Sequence, residues 1–135
     1  MSNSGLAVQE AMRAALLAHA PLITLLQGHH IHEEMPRGAR EPFVSFGDIE
    51  TRDWSVADQK AHEHFVTLAV RTNQRSRKLA QDVVAEIETA LDNAALTLAG
   101  HTLVNLRLVF WSVNRDKTAE THNATLRFRA ATEPL

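Results

Sequence analysis

The chain has 135 residues, 44% hydrophobic and 22% charged, with 14 Lys plus Arg against 16 Asp plus Glu and no cysteine. A chain of this length suits one domain, residues 1–135, that buries a core of its own without covalent staples. A formal net charge of −2 speaks against a dedicated nucleic-acid binder, which carries a basic excess, and the missing thiols exclude disulfides, cysteine nucleophiles and thiolate metal sites. Lack of cysteine also fits a reducing compartment. No apolar run approaches the roughly 18 residues of a membrane-spanning helix, and the opening MSNSGLAVQEAMRAALL has no basic start ahead of its apolar part, so it does not read as a signal peptide.

Val8, Met12, Ala15 and Leu16 recur at helical spacing and predict a helix from about Ser4, its cap, to Ala20. Pro21 ends it and opens a short second helix to Gln27, closed by Gly28. His29 to Pro42 has two prolines, a glycine and no periodicity, and reads as a loop. Phe43 to Ile49 is rich in strand formers. Glu50 to Ala61 is polar apart from Trp54, Val56 and Ala57 and reads as a long connection. His62 to Thr72 alternates, with Val66, Leu68 and Val70 on one face and Phe65, Thr67, Ala69 and Arg71 on the other.

Arg75 to Ala95 has a helical stripe of Leu79, Val83, Ile87 and Leu91. Leu96 to Gly100 follows as a turn with a short strand. Thr102 to Val113 is a long strand, with Leu106, Leu108 and Phe110 facing one way and Arg107, Val109, Trp111 and Val113 the other. After a charged turn, Thr121 to Thr132 is the last strand, with Ala124, Leu126, Phe128 and Ala130 inward. The order ααββαββ is that of an α+β fold: a mostly antiparallel sheet of about four strands with helices packed on one face. The opposite face then carries Arg71, Arg107, Arg127 and Arg129 beside Phe65, Val109, Trp111 and Val113. Aromatic groups mixed with arginine are the composition of a protein–protein interface core.

Chemistry is harder to find. His29, His30 and His32 precede Glu33 and Glu34, and His62 and His64 would share one strand face, but a metal would need further ligands from a distant loop. Solvated loop and sheet-edge histidines are the plainer reading, and no metal site or cofactor is expected. Asp48, Glu50, Asp53 and Asp58 sit in a polar stretch where solvated charge is the default. Ser45 and Ser55 lack the glycines of a nucleophile elbow, and no phosphate-cradling glycine motif is present. No catalytic residue is expected. Trp54, between Asp53 and Ser55, has two readings: a plug folded back over the sheet edge, or an anchor for a neighbouring subunit.

The words Pro42-Phe-Val-Ser-Phe-Gly47, Asp53-Trp-Ser55, His64-Phe-Val-Thr-Leu68, Leu96-Thr-Leu-Ala-Gly-His-Thr-Leu-Val-Asn-Leu-Arg107 and Leu126-Arg-Phe-Arg-Ala-Ala-Thr-Glu-Pro134, in this order over nearly the whole chain, resemble the tail-completion or tail-terminator proteins of long-tailed bacteriophages and gene transfer agents. The resemblance implies a structural, non-enzymatic subunit of a homohexameric ring, possible as a monomer on its own. Such a ring caps the tail tube, stops its polymerisation and docks to the head connector or stopper, with DNA passing through the lumen without sequence-specific binding. It further implies assembly in the bacterial cytoplasm and residence in the neck or tail of the particle. Trp54, Phe65, Arg107, Trp111 and Arg127 are the expected interface residues, a mapping that comes from the faces above and not from a family motif. Two other classes share such a build: a small metal-dependent enzyme using His62, His64 and nearby carboxylates, and a free-standing binding module.

Overall fold

A computed structural model of the chain describes residues 3–34, 36–73, 77–118 and 121–135. Its elements are α1 (Ser4–Leu17), α2 (Ala20–Leu26), β1 (Ile31–His32), β2 (Phe43–Asp53), β3 (His62–Arg71), α3 (Lys78–Leu91), β4 (His101–Asp116) and β5 (Thr121–Pro134). They form an α+β fold. One five-stranded sheet has the order β1-β2-β3-β5-β4, antiparallel throughout except for the β1–β2 pair. The fifth strand is the two-residue β1, inside the histidine-rich stretch that sequence reasoning assigns to a loop. Two residues carry too little periodicity to announce themselves, and they are held by pairing with Val44 and Ser45. β2 also runs on to Asp53, so the expected connection from Glu50 shrinks to the tip of a hairpin.

The helices line one face. Val8, Met12 and Leu16 of α1, Leu22 and Leu26 of α2, and Val83, Ile87 and Leu91 of α3 close over Val44, Val66, Leu68, Val70, Leu106, Leu126 and Phe128 in one buried cluster. The four-residue repeat of α3 forms its buried stripe, as the sequence predicts. The cap of α1 lies one residue earlier than expected. Asn3, not Ser4, accepts the Leu6 N–H at 3.1 Å, while Ser4 is already helical. His19, at the α1–α2 corner, reaches Glu86 of α3 at 2.8 Å and ties the helical layer together.

The main correction concerns β4. Two register breaks, between Leu103 and Asn105 and between Leu108 and Phe110, leave Val104 and Val109 as extra residues against β5. Each bulge resets the alternation of faces. Leu106 and Leu108 pair with Ala130 and Phe128 on the helix side, as expected. After Val109 the faces exchange. Phe110 pairs with Arg127 on the open side, whereas Trp111 and Val113 pair with Leu126 and Ala124 on the helix side. The strict alternation expected from Leu106 to Val113 therefore fails halfway, and Trp111 does not share a face with Arg107. A similar break between Phe46 and Ile49 keeps both of those side chains on the helix side of β2.

Candidate functional site

Among the described residues no helix covers the second face of the sheet. Phe65 sits there at the centre, with the Arg127 guanidinium 4.7 Å and the Arg52 guanidinium 5.5 Å from its ring. Glu50 lies between those two cations, 4.0 Å from Arg52 and 3.9 Å from Arg127. These groups come together because Glu50 pairs with Phe65 across β2–β3 and Phe65 is two strands from Arg107. Arg107 and Arg129 stand directly opposite each other on β4 and β5, a placement that like charges resist. They part: Arg129 donates to Glu63 at 2.6 Å and to Asn105 at 3.3 Å, and Arg107 turns outward over the sheet edge to Asp92, 3.5 Å away.

The β2–β3 tip is built as a stiff loop. The Trp54 N–H donates to the Ala61 carbonyl at 2.9 Å, the Ala61 N–H donates to Ser55 Oγ at 3.1 Å, and Val56 and Gln59 exchange backbone hydrogen bonds of 3.0 and 2.8 Å. Ala57 takes a left-handed φ of 48° to make the turn. Ser55, through its hydroxyl and its backbone N–H, holds the Asp53 carboxyl below the usual carboxylate range. This loop lays Trp54 over Arg129, 5.0 Å from ring centre to guanidinium, yet leaves the indole 45% exposed. Trp54, Val56, Gln59, Ala61, Val104 and Glu133 enclose a cleft of about 250 Å³ on the open face.

Of the five residues expected at an interface, Trp54, Phe65, Arg107 and Arg127 lie on the open face, and Trp111 lies on the other side at the edge of the sheet. Sequence reasoning missed Val56, Val104 and Phe110, which are 66%, 47% and 54% exposed. Val104 carried no usable signal, because only the bulge turns it outward. Phe110 looked like an inward residue for the same reason.

The histidines divide. His64 is fully buried, and both ring nitrogens are engaged, Nδ1 with Thr51 Oγ1 and Nε2 with Thr132 Oγ1, each at 2.9 Å. Burial, then the neighbouring His62 and His101, push its pKa down to about 4. With no free lone pair it is a poor metal ligand, although its ring lies only 6.2 Å from that of His62. His32, of the histidine-rich run, packs 6.1 Å from Phe43 with a pKa lowered chiefly by burial. Among the described residues no three His, Asp or Glu side chains converge as a metal site requires. Nor is any helix among them long and apolar enough to cross a membrane.

The chain thus has a sheet with one helical layer, a second face that bears arginine and aromatic side chains with no helix over it among the described residues, and a tryptophan hairpin. A family model described as tail completion protein gp17 matches residues 10–133, and the chain belongs to that family, in keeping with the resemblance read from its motifs. No curated protein matches the chain by sequence. Among solved structures, a chain from the virion of a native gene transfer agent particle is 28% identical with a TM-score of 0.87, covering 98% of this chain and 99% of that one. The gp17 protein of bacteriophage SPP1 shares the fold at 21% identity and a TM-score of 0.66, over 94% of this chain and 89% of that one.

Proposed function

We propose that this protein is the tail terminator of a phage or gene-transfer-agent particle. It forms a homohexameric ring on the finished tail tube, stops tube polymerisation and presents the surface to which the head connector or stopper docks. DNA passes through the ring lumen without being read. The ring assembles in the bacterial cytoplasm and stays in the neck of the particle. The observation that carries this reading is the end-to-end likeness to a chain of a gene transfer agent virion, within a family of tail completion proteins. The open face supports it. Phe65 and Trp54 present aromatic surface, and Glu50 and Glu63 offset two of the three arginine charges beside them, which leaves one cation for an acidic group of a partner to meet.

The test is tube length. Tail tubes polymerising with the protein present are expected to stop at one length and carry a cap visible by negative-stain microscopy. Tubes that elongate equally with and without it exclude the assignment.

A further inference from the structure

Two guanidiniums share one ring and one acid on the open face. Arg127 of β5 and Arg52 of β2 lie over Phe65 at 4.7 and 5.5 Å, and both lean on Glu50 at 3.9 and 4.0 Å. Those separations are ion pairs and not hydrogen bonds. Among the described residues neither guanidinium donates a hydrogen bond, whereas the neighbouring Arg129 is bonded to Glu63 and Asn105. Like charges on one strand face repel, and a single shared carboxylate leaves one of these two cations uncompensated. A second carboxylate would give each arginine an acid of its own, and an arginine held against an aromatic ring keeps its forked N–H edge for that acid. The cleft walled by Trp54, Val56 and Val104 lies on the same face, with Glu133 in its wall, so the positive end of the face is at Phe65. Ala61, also in the cleft wall, is four residues before Phe65, about 13 Å away at roughly 3.3 Å per residue.

We infer that this face takes a segment of another particle protein, one that carries an acidic side chain about 13 Å from an apolar one. The carboxylate completes the Arg52–Arg127 pair, and the apolar group enters the cleft. The contact rests on the particle assembly proposed above and names the chemistry of one partner in it. DNA is a poorer match, because it brings a negative charge about every 1.7 Å of its axis onto a face that already holds Glu50, Glu63 and Glu133. A second copy is a poorer match too. Its exposed apolar side chains Val109, Phe110 and Trp111 lie on β4, which has no acidic residue from His101 to Arg115.

The test is a photo-crosslink read against charge. Benzoylphenylalanine takes the place of Val56, exposed on the cleft wall, in assembled particles. The same chain is prepared with Arg52→Glu and Arg127→Glu together, and with Arg52→Lys and Arg127→Lys together. Irradiation is expected to join the chain to one other particle protein. The glutamate pair is expected to cut that product by about tenfold or more, and the lysine pair by about threefold at most. Changing an acidic residue of the joined protein to lysine should restore the product in the glutamate background. Melting temperatures of the isolated variants check the fold, and Arg52→Gln with Arg127→Gln repeats the comparison if the glutamate pair melts early. Four results overturn the contact: a product made of two copies of this chain; a product that nuclease shortens, which means that DNA lies on the face; a protein product whose yield ignores the charge changes; or no product in particles that contain the protein. Tube length with the unsubstituted chain decides the terminator reading separately, so either can fail alone.

Discussion

His64 shows how much one residue adds to the stability of this fold. It is neutral, dry and clasped by two threonines, so the folded chain binds its proton only near pH 4 while an unfolded chain binds it near 6.5. Between those values the unfolded state holds more protons. Stability is therefore full above about pH 6.5 and falls as the pH drops toward 4, by up to about 3 kcal/mol from this group. Urea midpoints at pH 7.5 and pH 4.5 measure the loss, and His64→Gln should flatten much of that slope. Trp54 makes the opposite case. Its ring rests on Arg129 and is half in water, so Trp54→Ala should cost folding no more than about 1 kcal/mol. An indole docked in a neighbouring subunit typically loses more than about 2 kcal/mol of binding on truncation. Melting temperature and the fraction of capped tubes therefore separate the two roles: a large drop in melting with normal capping would make Trp54 a plug.

At the level of single elements, the sequence was most readable where one face is fully buried. The rows Val66–Leu68–Val70 and Ala124–Leu126–Phe128–Ala130 alternate without interruption, and all seven side chains are buried in the structure. The α3 stripe is equally plain. Reading failed where the backbone, not the side-chain pattern, decides. Val109 is as apolar as its neighbours, so nothing in Leu-Val-Phe-Trp says which residue is the extra one, and a bulge moves every later side chain to the other face. The candidate site inherited that error twice, in Trp111, which was included, and in Phe110, which was missed, whereas Phe65 and Arg127 lie on unbroken strands. Deleting Val109 should remove the bulge and leave Phe110 opposite Arg127 and Val113 opposite Ala124, so the urea midpoint should fall by little and no new apolar surface should bind a fluorescent dye; a large fall with dye binding would mean that Val109 is not the extra residue. Leu106, between the two bulges and packed in the core, should lose about 2–5 kcal/mol as Leu106→Ala. A loss below about 1 kcal/mol would mean that β4 does not hold the face described.

For the molecule as a whole, the decisive feature is the strand order. β2 with β3, and β4 with β5, are hairpins whose partners are close in sequence, but the seam that joins them pairs β3 with β5 over ten residue pairs, His62–Thr132 to Arg71–Asn123. The last strand in the chain thus occupies an interior position in the sheet. During synthesis β3 emerges some fifty residues before its mate, with an open row of backbone donors and acceptors and with Val66, Leu68 and Val70 waiting beside it. Nothing upstream of Thr121 can close that edge. A nascent or truncated chain ending before β5 is accordingly a sticky half-sheet, a substrate for chaperones and for self-association. Ribosome-bound chains halted near residue 118 should be protease-sensitive and should cross-link to chaperones, while chains with all 135 residues held outside the ribosome by an added C-terminal linker should resist. The order in which a cell makes these strands thereby sets a delay on when a subunit can first be offered to a growing particle.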